Sequence, residues 1–447
     1  MNTENVKSST RPLPYSKPEP SVHFFLTRAG GGHYAALAAL RAVIMEQQRP
    51  WRIDVTESME LFEPLDTYKK LFGISGGELY NRMLQKGWTW AYHMLLPLNR
   101  KAIQYRYEAG LEIATEHWRR IQPDVVVSLI PFFNRNLWDS LQRARPGTPV
   151  ITVATDLADY PPHYWIEPKT QNYLVCGSER LVEQARAMGI AEDHIFRTSG
   201  MVIHPKFHEP VPGDRGAQRR ELGLEPERPT GIVSFGGHGS KVMVDIVRNL
   251  ARFGDELQLI LIRGHNEKLA DTLRGTCPRL RKCVIGFTDR MPCYMRLADF
   301  FIGKPGPSSI SEALAMRLPV IVERNISTMP QERYNTDWIR ERQVGLVIDS
   351  FKNIAGAVET LLRSGELARY RANTMKHQNR AVFEVPDIIQ AVLERTKYSS
   401  EATNKPRVGK NPYGGIRKNP MSSTSMKQGS LVLALQASIP FTNRVVP

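Results

Sequence analysis

At 447 residues, 41% hydrophobic and 23% charged, the chain is long enough for two or three domains. Its four cysteines, Cys176, Cys277, Cys283 and Cys293, form no Cys-x-x-Cys pair, so a disulfide miniprotein and a zinc ribbon are excluded and reduced, buried thiols are expected. Sixty Lys and Arg against 45 Asp and Glu give a net charge of +15, which favours an anionic partner without choosing among nucleic acid, lipid and phosphorylated substrates.

Residues 1–20 lack the apolar core of a secretory signal and carry glutamates that a transit peptide avoids, so a flexible cytoplasmic start is expected. Ser21 to Thr27 is an apolar run that ends in Gly30-Gly31-Gly32, and from His33 the pattern turns Ala/Leu-rich with helical spacing. Strand candidates come next at Trp51–Thr56, Asp124–Leu129, Val150–Ala154, Tyr173–Cys176 and Ile195–Thr198, with helices such as Asn136–Ala144 and Ser178–Met188 between them. Alternating strand and helix implies a parallel sheet.

Inside this half, Leu71 to Tyr107 interleaves Trp88 and Trp90 with Arg82, Lys86, Arg100 and Lys101, and its five bases face a single acid, Glu78. Aromatics beside cations suit contact with an anionic membrane surface; the competing reading is an ordinary helical excursion packed on its own domain. A break rich in Pro, Gly and charge spans His204–Pro229. A second set of strands is expected at Gly231–Phe235, Leu257–Ile262, Cys283–Ile285, Phe300–Ile302, Pro319–Val322 and Leu346–Ile348. The expected organisation is a first domain at 21–208 with the membrane segment 71–107, a second domain at 209–380, a helix at 381–398 and a basic disordered tail at 399–447. Residues 401–447 hold seven Lys or Arg against one Glu, and so six of the fifteen net positive charges.

Chemistry is expected at the strand ends, because doubly wound sheets bind ligands beyond the carboxyl ends of their strands. Gly30, Gly31 and Gly32 allow close backbone approach at a helix start, where an anion is favoured. His33, next in sequence, suits a general base with a near-neutral pKa. The run Gly30-Gly31-Gly32-His33-Tyr34-Ala35 is not the dinucleotide fingerprint, and Gly239-Ser240-Lys241 lacks the glycine that the Walker loop needs before Lys, so a dehydrogenase and an ATPase are disfavoured. The turn Phe235 to Lys241 can still cradle a diphosphate through Gly236, Gly237 and Gly239. Ser309 and Glu312 have the spacing of a capping box, so Glu312 has a purely structural reading. Met329 to Asn335 sets further polar groups at the start of another helix.

Taken in order, Gly-Gly-Gly-His33, Thr155-Asp156-Leu157, Gly286-Phe287-Thr288, Lys304-Pro305-Gly306, Ser311-Glu312-Ala313-Leu314 and Gln331-Glu332-x-x-Asn335 resemble the monogalactosyldiacylglycerol synthase and diacylglycerol glucosyltransferase group. These are relatives of the peptidoglycan lipid-linked N-acetylglucosaminyl transferase. The resemblance implies a GT-B fold, α/β, with two Rossmann-like doubly wound domains facing across a cleft. It implies an inverting hexosyltransferase that needs no metal or cofactor and moves galactose or glucose from a UDP-sugar to a lipid hydroxyl such as diacylglycerol. The place implied is the inner face of a membrane, peripheral and cytoplasmic. His33 becomes the base, with Asp156 orienting it or meeting the acceptor. Gly236, Gly237 and Gly239 cradle the diphosphate with charge support from Lys304, Phe287 lies by the uracil, Glu312 holds the ribose, Gln331 and Glu332 hold the sugar, and Asn335 supports that turn. The alternatives are another lipid or small-molecule acceptor, or a catalytically degenerate binding protein of the same fold. No nucleic-acid-binding motif is present, so nucleic acid is not expected as a partner.

Overall fold

The computed structural model describes residues 19–28, 31–66, 73 and 105–404, with side chains through residue 396. Among these residues the strands form two six-stranded sheets. The first joins β1 (Ser21–Leu26), β2 (Arg52–Glu57), β3 (Val125–Ser128), β4 (Val150–Val153), β5 (Tyr173–Cys176) and β6 (Ile195–Arg197) in the order β2-β1-β3-β4-β5-β6. The second joins β7 (Thr230–Ser234), β8 (Gln258–Ile262), β9 (Arg281–Ile285), β10 (Phe300–Gly303), β11 (Val320–Glu323) and β12 (Gly345–Ile348) in the order β12-β11-β10-β7-β8-β9. Every strand pair is parallel, so each sheet presents all its carboxyl ends along one edge.

The strands are short apolar runs because helices cover both faces. Strands β1, β3 and β4 are buried along their whole length, whereas the edge strand β2 begins exposed at Arg52 and is buried only at Thr56 and Glu57. One core unites Val22, Phe24, Val126 and Ile151 of the first sheet with Val382, Val385, Ile389 and Val392. These last belong to the helix Ala381–Asn404, which comes after the second sheet in sequence but packs on the first. The crossing is tied by Asn379 Nδ2 donating to the Met201 carbonyl at 2.7 Å and by the Ser199 amide donating to Glu384 at 2.7 Å.

Strand order reverses between β1 and β3 in the first sheet and between β7 and β10 in the second. At such a switch point the connections leave to opposite faces and open a crevice. The segments at these two places are Gly31–His33 with Leu129, and Gly236–Gly239 with Lys304–Gly306.

Three expectations are corrected here. The charged break holds a helix, Arg215–Glu221, capped by the Asp214 carboxylate. Its Arg219 is buried because the guanidinium donates to the Leu297 and Pro226 carbonyls and pairs with Asp299 at 2.9 Å. Of the four free thiols, Cys176 alone is buried and the other three are partly exposed. The last helix runs to Asn404 rather than ending near 398.

Candidate active site

At the end of β1 the chain turns through Gly31, which occupies the N-cap position of the helix Gly32–Glu46 with no side-chain cap. The first amides of that helix are therefore left for a ligand or solvent. Gly32 faces the other half of the molecule, where a methyl group in place of its hydrogen would stand 3.9 Å from Ser308 Oγ. His33 is next, with its Nδ1 3.4 Å from Thr155 Oγ1, its ring 6.4 Å from that of Trp165, and a ring N–H donated to the Leu129 carbonyl. Desolvation lowers the imidazole from its ordinary value to about 4, against a smaller opposing pull from the Leu129 carbonyl. The near-neutral value expected from sequence is thereby corrected: the niche removes much of the ring's water and supplies no carboxylate to offset that loss.

Asp156 lies just beyond β4, and its carboxylate accepts the Trp165 indole N–H at 2.9 Å rather than touching His33. The expected orienting role toward His33 is not what the geometry displays. Burial raises this carboxyl to about 7; the Trp165 hydrogen bond opposes the rise, and the fields of Glu332 and Lys304 reach it from the second half with opposite signs. Asp156 thus faces the polar turn of the other sheet. Trp165 is fixed in turn by Asp159, which accepts the backbone amides of His163, Tyr164 and Trp165 at 2.6–2.8 Å.

In the second half, the loop after β7 carries two left-handed glycines, Gly236 and Gly239. At Gly239, φ is +60° and a Cβ would come within 2.4 Å of the Arg263 carbonyl, so only glycine fits. Gly236, Gly237 and His238 are exposed. The next helix, Val242–Leu250, starts three residues beyond Gly239, its first amide donating to Ser240 Oγ at 3.3 Å, and the neighbouring helix Glu267–Gly275 is capped by the Asn266 side chain. Phe287 lies just beyond β9 and is 61% exposed, flat on His265 with ring centroids 4.0 Å apart.

Lys304 leaves the end of β10 and pairs with Glu332 at 3.6 Å. Asn335 is fully buried and donates to the Pro305 carbonyl at 2.8 Å, which ties the turn Met329–Glu332 to the turn Lys304–Gly306. Gln331 Oε1 and Asn335 Oδ1 are buried acceptors with no protein donor, so two acceptors stand ready for hydroxyl groups.

The capping-box reading of Glu312 is corrected. The helix runs Pro307–Ala315 with Gly306 as N-cap and no side-chain cap, which places Glu312 in its sixth position, beyond reach of the first amides. Burial raises the Glu312 carboxyl to about 7, with Lys206 opposing the rise. A carboxylate held above its usual range in a cleft is a recurrent mark of a working group.

The structure thus gathers His33, Gly31, Gly32 and Asp156 on one edge, and Gly236, Gly237, Gly239, Lys304, Glu312, Gln331, Glu332 and Asn335 on the other. Gly30, Trp88, Trp90, Arg82, Lys86, Arg100 and Lys101 lie outside the described residues. Trp165, Thr155 and His265 were not singled out as site residues from sequence. For His265 a signal existed, since Arg263-Gly264-His265 is another glycine turn at a strand end; the Trp165 contact is purely tertiary. Among the described residues no group of three or more His, Cys, Asp or Glu is gathered as for a metal, and no helix is long and apolar enough to cross a membrane.

Residues 232–392 match the glycosyltransferase family 28 C-terminal domain. The chain is 27% identical over 390 residues to a probable chloroplastic monogalactosyldiacylglycerol synthase 2 of Oryza sativa subsp. japonica, covering 82% of this chain and 79% of that one. It is 24% identical over 315 residues to the processive diacylglycerol beta-glucosyltransferase of Bacillus subtilis, covering 68% and 76%. In fold it is similar to MurG of Acinetobacter baumannii, with a TM-score of 0.54 at 13% identity over 83% of this chain and 99% of that one. The two facing parallel sheets are the GT-B architecture expected from the sequence.

Proposed function

We propose that this chain, whose residues 232–392 belong to glycosyltransferase family 28, is an inverting hexosyltransferase that moves galactose or glucose from a UDP-sugar to a lipid hydroxyl, with diacylglycerol as the acceptor. The observation that carries the reading is the pairing of a desolvated imidazole at one switch point with a glycine loop, three raised or unpartnered acceptors and a Lys–Glu pair at the other. The relatives named as diacylglycerol enzymes support the acceptor.

In the reaction, the neutral imidazole of His33 removes the proton of the acceptor hydroxyl while its oxygen forms a bond to the anomeric carbon of the sugar. The bond from that carbon to the diphosphate oxygen breaks, and UDP departs with the electron pair on the opposite face. The depressed basicity of His33 means that the free base is present throughout the neutral range. The exposed backbone at Gly236–His238 and the charge of Lys304 stabilise the departing diphosphate with no metal ion required. The ionised Glu312 accepts the ribose hydroxyls, Gln331 and Glu332 accept those of the sugar, Asn335 holds the two turns together, and Phe287 lies by the uracil.

The first half supplies the acceptor side. A cavity of about 690 Å³ opens between the end of β2 and the helix Tyr107–Ile121, lined by Val55, Leu61 and Pro64 together with the acids Glu57, Glu60, Glu63 and Asp66. We assign membrane contact to the basic aromatic segment 71–107, which would place the enzyme on the cytoplasmic face of an anionic membrane without spanning it.

Transfer of radiolabelled galactose and glucose from their UDP conjugates to diacylglycerol in phosphatidylglycerol vesicles, with EDTA present, tests the proposal. Glycolipid formed from one donor supports it and names the sugar. UDP binding without transfer to lipid would move the search to other hydroxyl acceptors, and transfer abolished by EDTA would contradict the metal-free reaction.

A further inference from the structure

Three adjacent strands of the second sheet each end in a turn that carries an exposed aromatic ring: His238 after β7, His265 after β8 and Phe287 after β9. All three residues are exposed. The His265 ring lies on Phe287 with 16° between their planes, and the His238 ring stands 6.5 Å from that of His265. Backbone contacts hold the two histidine turns together. The His265 amide donates to the Gly237 carbonyl at 2.8 Å, and a Cβ on Gly264 would fall 2.2 Å from the same oxygen. The neighbouring charges Arg263 and Glu267 are paired with each other at 2.6 Å. One imidazole thus stands on the open glycine loop and the other on the turn that braces it.

Building on the proposed donor site, we propose that His238 and His265 are diphosphate-binding side chains that donate ring N–H groups to the phosphate oxygens of the nucleoside diphosphate. An imidazole keeps at least one N–H donor in either neutral tautomer, and phosphate oxygens are charged acceptors, so these hydrogen bonds do not require protonation of the rings. The glycine loop that carries His238 offers backbone amides to the same anion. Phe287, at the end of the row, then meets the base, and stacking on it holds His265 toward the phosphates. Stacking alone would explain His265 but not the second imidazole on the glycine loop.

The test uses the full chain with UDP and with uridine, which lacks phosphate. UDP binding is measured by calorimetry and uridine binding by ligand-observed NMR, for wild type, His238→Ala and His265→Phe. The phenylalanine keeps a ring on Phe287 and removes the N–H. Each substitution is expected to weaken UDP about tenfold, the scale of one hydrogen bond to a charged group, and to leave uridine unchanged. Unchanged UDP affinity in either variant overturns the pair as phosphate ligands, and so does a loss of uridine affinity in step with UDP. Wild-type protein that binds neither ligand overturns the donor site itself, and with it this inference. Both side chains are exposed, and thermal melting of the two variants against wild type verifies that the fold is kept.

Discussion

At the end of β1 the chain turns through Gly31 and delivers His33 into a desolvated niche beside Leu129, Thr155 and Trp165. At the end of β7 the equivalent turn, Gly236–Gly239, stays open and is braced by the loop after β8. Two glycine turns at equivalent switch points thus end in opposite surroundings. The first shields much of one ring from water, which suits proton transfer; the second leaves backbone groups exposed, which suits holding an anion. The residue next to the glycines, together with the loops that face them, decides the chemistry of a strand end.

The sharpest way to break this division is His33→Ala. Single-turnover transfer is expected to slow by about 10² or more, the scale of a lost general base. A variant that keeps most of the rate would remove His33 from the chemistry.

Glu312→Gln probes the other side. With the Glu312 carboxyl at about 7, and ribose held by its ionised form, kcat/KM for the donor should fall as pH drops through about 7. His33, held near 4, leaves the rate flat in that range. Profiles from pH 5 to 9 should show the fall in wild type, persisting in Asp156→Asn and absent in Glu312→Gln, whose donor KM is raised about tenfold at pH 8. A limb near 6.5 that survives in Glu312→Gln would return the titration to a histidine. Because the folded carboxyl binds its proton more tightly than the unfolded one, its stabilising contribution is present at low pH and lost as pH rises through about 7. Glu312→Gln should therefore raise the melting temperature more at pH 8 than at pH 5.

Gly239→Ala adds a methyl group 2.4 Å from the Arg263 carbonyl at a left-handed φ. The expected result is a loss of about 1–3 kcal/mol of stability with weakened UDP binding, read by melting and calorimetry. Unchanged UDP affinity would show that the loop shape is unimportant for the donor. The smallest effect is expected for Trp165→Phe, which removes one hydrogen bond from Asp156 and costs roughly 1–3 kcal/mol of stability with UDP binding intact. A fall in UDP affinity there would blur the two halves.

Much of the fold is legible because buried parallel strands are uninterrupted apolar runs: Tyr173–Cys176 is read to the residue. Where a strand lies at an edge the signal weakens, and β9 begins at Arg281, ahead of the apolar run that starts at Cys283. The helix Arg215–Glu221 reads as a charged loop because its buried residue is an arginine paired across the fold. The glycine turns and polar turns of the candidate site stand at strand ends, where local pattern suffices to find them. The Ser309–Glu312 spacing misleads because the helix starts at Pro307, upstream of the supposed cap. The lowered basicity of His33 and the Trp165 partner of Asp156 depend on residues brought together from distant segments, which no local pattern records.

The most direct measurement is the UDP dissociation constant and the single-turnover transfer rate of His33→Ala in one preparation, beside wild type. A division of labour between the two turns predicts an unchanged dissociation constant and a rate lower by about 10² or more. Parallel loss of binding and rate, or loss of neither, would contradict it.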